Sequence, residues 1–151
     1  MYQVYIDATI PSNLVARLSQ DPKIAEWQRI TREFWEDPRF EFILSDIVID
    51  EISAGDEDRA ADRLQAVENC TIVVAAALEF EVARHLIVQN AIPQSAFIDA
   101  LHVAVAATHN IPYLATWNFA HLANTYTRPK IDRVCRDAGY SHHLTLTHQE
   151  Q

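Results

Sequence analysis

The chain has 151 residues, is 49% hydrophobic, and sets 21 acidic against 12 basic residues for a formal net charge of −9. This length suits one domain over residues 1–151, and a domain of such size buries about 68–70% of the surface its unfolded chain exposes, so its core needs no covalent staples. The acidity excludes long-range attraction to nucleic acid, and no apolar run approaches the roughly 18 residues of a membrane-spanning helix.

The N-terminus lacks a basic region followed by an apolar stretch, so a signal peptide is not expected and the cytoplasm is the expected location. Two cysteines without paired spacing, Cys70 and Cys135, read as reduced thiols rather than a disulfide or a zinc site. Only two glycines occur among many helix formers, which predicts a helix-rich fold.

In chain order, residues 2–7 read as a strand that ends on Asp7. Ser12 is the expected cap of a short helix over Leu14–Leu18. Asp21-Pro22 opens a helix over 22–36, whose Ile24, Trp27, Ile30 and Phe34 recur at spacings of three and four, and Pro38 closes it. A strand over Phe42-Ile43-Leu44 leads to Ser45, the expected cap of a short helix carrying Ile47, Val48, Glu51 and Ile52, which Gly55 ends. A helix over Glu57–Val67, a strand over Thr71–Val74 and a helix over 76–90 follow. Ser95 then caps a helix over 96–109. A strand over Pro112–Ala115, a helical turn at 118–123, a helix over 130–138 ended by Gly139, and a last strand over His143–Thr147 complete the prediction. Strands separated by helices imply right-handed crossovers and a mostly parallel sheet of four or five strands in an α/β fold.

Four stretches end an apolar run with a carboxylate or carboxamide: Val4-Tyr5-Ile6-Asp7, Ile47-Val48-Ile49-Asp50-Glu51, Phe97-Ile98-Asp99 and Leu114-Ala115-Thr116-Trp117-Asn118. Buried acids are expensive unless something neutralises them, and hard carboxylate oxygens suit Mg²⁺ or Mn²⁺. Parallel sheets bind ligands outside the carboxyl ends of their strands, where Asp7 and Asn118 fall. Asp99 occupies the first turn of an otherwise apolar helix, at its positive end. Of the adjacent Asp50 and Glu51, Glu51 lies on the apolar stripe and is the one chosen. Thr9 and Thr116, each two residues from a site residue, are the expected supporting hydroxyls. His102 and His121 read as structural or supporting hydrogen-bond partners rather than ligands. Arg128, Lys130, Arg133 and Arg136 read first as a solvated helix face and second as a phosphate-binding edge.

The motif Tyr5-Ile6-Asp7-Ala8-Thr9-Ile10-Pro11-Ser12, then Ser45 six residues before Glu51, then Asp99-Ala100-Leu101-His102, then Ala115-Thr116-Trp117-Asn118-Phe119 resembles, in order and spacing, the PIN domain. More narrowly it resembles the toxin ribonucleases of VapC-type toxin–antitoxin pairs, over about residues 3–146. The resemblance implies a three-layer α/β/α fold, Mg²⁺ or Mn²⁺ held by Asp7, Glu51 and Asp99, and hydrolysis of RNA phosphodiesters. It also implies a cognate antitoxin and a homodimer, with Trp27, Phe34 and Trp35 as the expected exposed docking face. Asn118 stands where many members carry a fourth acid, and Ala8 intervenes where the family often reads acid-Thr. That departure keeps a second reading in view, a catalytically impaired PIN-fold module that works through protein contacts. An aspartyl-phosphate hydrolase built on Asp7 ranks low, because Thr9 stands where its second acid belongs.

Overall fold

The computed structural model describes residues 1–140; the strand expected over His143–Thr147 lies outside them. The four strands β1 (Tyr2–Ile6), β2 (Phe40–Ser45), β3 (Thr71–Val73) and β4 (Tyr113–Ala115) form one sheet in the order β3-β2-β1-β4. Every pairing is parallel: Tyr5 lies opposite Ile43, Ile6 opposite Ala115, and Ser45 opposite Val73. All carboxyl ends therefore share one edge. β1 is central, and its Val4, Tyr5 and Ile6 are buried, as a parallel strand covered on both faces requires.

The helices are α1 (Thr9–Val15), α2 (Pro22–Glu36), α3 (Asp46–Ile52), α4 (Glu57–Ala66), α5 (Ala77–Val88), α6 (Phe97–Thr108) and α7 (Arg128–Asp137), and they flank the sheet. α1 packs with α2 and α4, whereas α5 packs with α6 and α7. Residues 100–107 of α6 are all buried, which explains why this helix is apolar on every side. No helix among the described residues is long and apolar enough to cross a membrane. Cys70 and Cys135 are free thiols.

The structure moves several boundaries. β2 begins at Phe40 rather than Phe42, because Tyr2 and Gln3 pair with Phe40 and Glu41. α1 begins at Thr9, and Ser12 sits inside it rather than capping it. The Asp7 carboxylate accepts the Thr9 N–H at 3.0 Å, so a helix-starting acceptor is already supplied from upstream. Ser45 is the N-cap residue of α3 without making a cap bond. Its hydroxyl is engaged by Tyr5 instead, at 2.8 Å. Ser95 falls in a 3₁₀ turn over Gln94–Ala96 and does not cap α6. By contrast Asp21 caps α2 as expected, accepting the Lys23 N–H at 2.9 Å with Pro22 in the first turn.

The aromatic face expected to be exposed on α2 is largely spent on the core. Trp27 stacks on Trp117 with ring centres 5.0 Å apart, Trp35 stacks on Phe42 at 4.4 Å, and Phe34 meets Phe42 edge-on at 5.0 Å. All three α2 aromatics are half-buried. Their periodicity was a packing signal, as an aromatic helix stripe usually is. On α7, Arg133 and Arg136 are exposed, and the Lys130 ammonium lies 4.1 Å from the centre of the Tyr126 ring.

Candidate active site

Asp7 follows β1 directly, and Thr116 follows β4 directly. Because Ile6 pairs with Ala115, the next residue on each strand meets its counterpart at the sheet edge. Thr116 Oγ1 donates to Asp7 Oδ2, while Thr9 donates to Oδ1 through both its N–H and its hydroxyl. Each hydroxyl also accepts a backbone N–H, Thr9 from Trp117 and Thr116 from Asn118, both at 2.9 Å. An N–H donates and leaves the hydroxyl hydrogen only one direction, toward the carboxylate. The two threonines thus lock the 116–118 loop onto Asp7.

Asp7 is 3% exposed. Burial pushes its carboxyl above the ordinary carboxylate range, against the opposing pull of His102, Thr116 and Thr9. Asp99, in the first turn of α6, is half-buried and also pushed up, chiefly by burial. Glu51 adds a like charge that raises it further, whereas the Asn118 hydrogen bond, His102 and His121 act the other way.

Asn118 has a defined orientation. Its Oδ1 accepts the His121 N–H at 3.1 Å, so its amide N–H₂ is the group that hydrogen-bonds Asp99. A single turn closes behind it, with the Leu122 and Ala123 N–H groups donating to the Asn118 carbonyl. An amide in this place can give a hydrogen bond to Asp99, which an ionised acid cannot.

Glu51 lies in the last turn of α3, with its side chain 37% exposed. Its Oε1 meets His102 Nε2 at 2.6 Å, one turn along α6 from Asp99. The Glu51 carboxylate therefore reaches the same cluster through a histidine, while its neighbour Asp50 is exposed and has no such contact among the described residues. The structure thus brings Asp7, Glu51, Asp99, Asn118, Thr9 and Thr116 to the carboxyl edge of the sheet. Tyr5, Ser45 and His102 join them as a buried hydrogen-bonded group: His102 is the hydrogen-bonding residue the sequence suggested, but its pairing with Tyr5 and Ser45 was not foreseen. One signal was present: a tyrosine in a fully buried strand needs a partner for its hydroxyl.

The donor set fits a hard divalent cation in its chemistry. It consists of carboxylate oxygens that repel one another and whose ionisation burial opposes, the imbalance such a cation corrects. Among the described residues, no three His, Cys, Asp or Glu side chains already stand at mutual metal-ligand geometry.

Comparisons with known proteins agree with this architecture. The sequence model of the PIN domain matches residues 4–123. No sequence relative was found among curated proteins. Among solved structures, the fold resembles the crystal structure of Mycobacterium tuberculosis VapC20, described as a Sarcin-Ricin loop cleaving toxin. The superposition has a TM-score of 0.56 at 16% identity and covers 91% of this chain and 95% of that one. With the family match spanning most of the chain and the parallel sheet carrying its acids on the expected edge, this protein belongs to the PIN domain family.

Proposed function

We propose that the protein is a Mg²⁺- or Mn²⁺-dependent endoribonuclease that hydrolyses RNA phosphodiesters, the toxin of a VapC-type toxin–antitoxin pair. The observation that supports the reading is the placement of three acids toward the carboxyl edge of one parallel sheet: Asp7 just past β1, Asp99 in the first turn of α6, and Glu51 on α3, which contacts His102 of α6 and adds like charge to Asp99. Asp7, Glu51 and Asp99 would hold the cation, which when bound supplies an activated water and neutralises phosphate charge.

The chain's own residues set the stage for that chemistry. The hydroxyls of Thr9 and Thr116 keep both Asp7 oxygens in fixed directions. Asn118 holds Asp99 through its amide and keeps a repelling fourth acid out of the cluster. The similarity to VapC20, a toxin that cleaves the Sarcin-Ricin loop, supports RNA as the substrate class. A cognate antitoxin and a homodimer follow from the same family reading, with the cytoplasm as the site of action. With a net charge of −9, RNA capture relies on local contacts to the bound cation and to exposed arginines such as Arg133 and Arg136.

The test is cleavage of a mixed RNA pool by purified protein with Mg²⁺ or Mn²⁺. Asp7→Asn and Asp99→Asn should each lower cleavage on the order of 10³-fold or more, the loss of several kcal/mol of metal-derived stabilisation, while far-UV circular dichroism stays unchanged. Undiminished cutting by both variants would remove these acids from the mechanism. Wild type that cuts no RNA with either metal would favour the second reading, a protein-binding module, for which Asn118 in the fourth position is the specific observation.

A further inference from the structure

On the metal-dependent reading of the site, we propose that His102 is a positioning residue for Glu51, and that Tyr5 and Ser45 hold His102 in register from behind. The geometry is a continuous hydrogen-bonded chain. Ser45 Oγ lies 2.8 Å from the Tyr5 hydroxyl, which lies 2.7 Å from His102 Nδ1; His102 Nε2 lies 2.6 Å from Glu51 Oε1. Ser45 and Tyr5 are 0% exposed and His102 is 1% exposed. Only the final member reaches solvent.

Hydrogen accounting gives the chain a direction. An ionised carboxylate oxygen only accepts, so His102 Nε2 carries a hydrogen whether the ring is neutral or charged. In the neutral ring Nδ1 then accepts from the Tyr5 hydroxyl, and the Tyr5 oxygen accepts from Ser45. The Tyr5 phenol, with an ordinary value of about 10, is a hydroxyl at neutral pH and keeps its donor. Every donor then points toward Glu51.

The chain does more than satisfy buried polar groups. Tyr5, Ser45 and His102 are buried and need partners, but Glu51 stands in the last turn of a seven-residue helix with its side chain 37% exposed, where water would serve it. A long, mobile glutamate there is useful to a cation only if something restrains it. His102 takes Oε1 and leaves Oε2, which has no donor among the described residues, as the oxygen available to the cluster. Asp99 lies one helical turn from His102 on α6, so the same helix aims both acids.

The experiment is Mn²⁺ binding to the full chain without RNA, read by titration calorimetry. His102→Ala and Tyr5→Phe should each weaken Mn²⁺ binding about 10–100-fold, the usual effect of losing a group that orients a ligand. His102→Gln, which keeps an N–H donor, should recover most of that loss. In a Glu51→Gln background, Tyr5→Phe should add no further loss, because the two changes break one pathway. Tyr5→Phe preserves the buried ring, so it carries the test if His102→Ala fails to fold. Unchanged Mn²⁺ affinity in Tyr5→Phe, or an equal loss with and without Glu51, would overturn the assignment. If wild type binds no Mn²⁺, the metal reading fails on its own, and ¹⁵N NMR of the His102 ring decides the positioning. Glu51→Gln should then shift the Nε2 resonance, and no shift would overturn the His102–Glu51 link.

Discussion

Asp7 and Glu51 serve the same edge of the sheet but are built by opposite means. Asp7 is 3% exposed and receives three hydrogen bonds from two threonines, which themselves clamp the adjoining loop. The Glu51 side chain is 37% exposed and is directed by one imidazole. The first acid is fixed by strand register, so its position belongs to the fold. The second is fixed by a side-chain contact between helices, so its position can be changed without disturbing the core. On the proposed reading of the site, the contrast teaches that one edge can combine a preformed anchor with an adjustable arm.

Breaking the anchor should have the largest effect on stability. Thr116→Val keeps the shape but leaves Asp7 Oδ2 and the Asn118 N–H without their partner. Urea unfolding should show a loss of about 1–3 kcal/mol, the usual penalty for an unsatisfied buried group. Thr9→Val strikes the other oxygen, where Asp7 retains the Thr9 N–H. Its loss should fall at the lower end of that range, about 1 kcal/mol.

A clasp outside the site supplies the next comparison. Glu79 Oε2 accepts the Ala76 N–H at 3.0 Å to cap α5, and its Oε1 accepts from Thr108 at 3.1 Å to tie α5 to α6. Burial tends to raise the Glu79 carboxyl. The backbone donors, Thr108 and His109 outweigh it and hold the group below the ordinary value of 4.5. Glu79→Gln should lower stability by about 1 kcal/mol at neutral pH, because charged hydrogen bonds become neutral ones. A depressed carboxyl contributes stability above its unfolded value and loses it as pH falls through the lower folded value. The difference between wild type and Glu79→Gln should therefore hold from neutral pH down to the ordinary value of 4.5 and close as pH falls further. Paired melts across that range measure it.

Changing the arm should have the smallest effect on stability. Glu51→Gln should alter the unfolding free energy by no more than about 0.5 kcal/mol, as expected of a partly exposed residue. A larger loss in urea unfolding would mean that Glu51 belongs to the structural core, and the contrast with Asp7 would dissolve.

Much of this arrangement was legible in the sequence. Asp7 was visible as an acid at the end of a β-branched strand, and Asp99 as an acid in a helix whose following residues, His102 apart, are apolar as far as Ala107. Burial of residues 100–107 explains the second signal directly. Glu51 was distinguished from Asp50 by helical phase, and the contact with His102 gives that phase a physical partner. The parts that stayed hidden depend on long-range pairing. The start of α1 was misplaced because its acceptor is Asp7, a residue the local pattern assigns to a strand. Ser45 looked like a cap, yet its hydroxyl goes to Tyr5, 40 positions away. His102 read as a hydrogen-bonding residue, but nothing local names a tyrosine 97 positions upstream as its partner. The α2 aromatics carried a correct helical period, which does not say whether a ring meets solvent or another ring.

The bond between Thr116 and Asp7 spans 109 positions. During synthesis the first acid of the site therefore emerges long before the hydroxyl that secures it. A nascent chain that stops short of β4 has neither the neighbouring strand that sets the register nor the loop that closes on Asp7. Such distant pairing defers assembly of this edge until β4 and the loop after it are available. The edge that carries Asp7 is thereby completed only after Thr116 has left the ribosome.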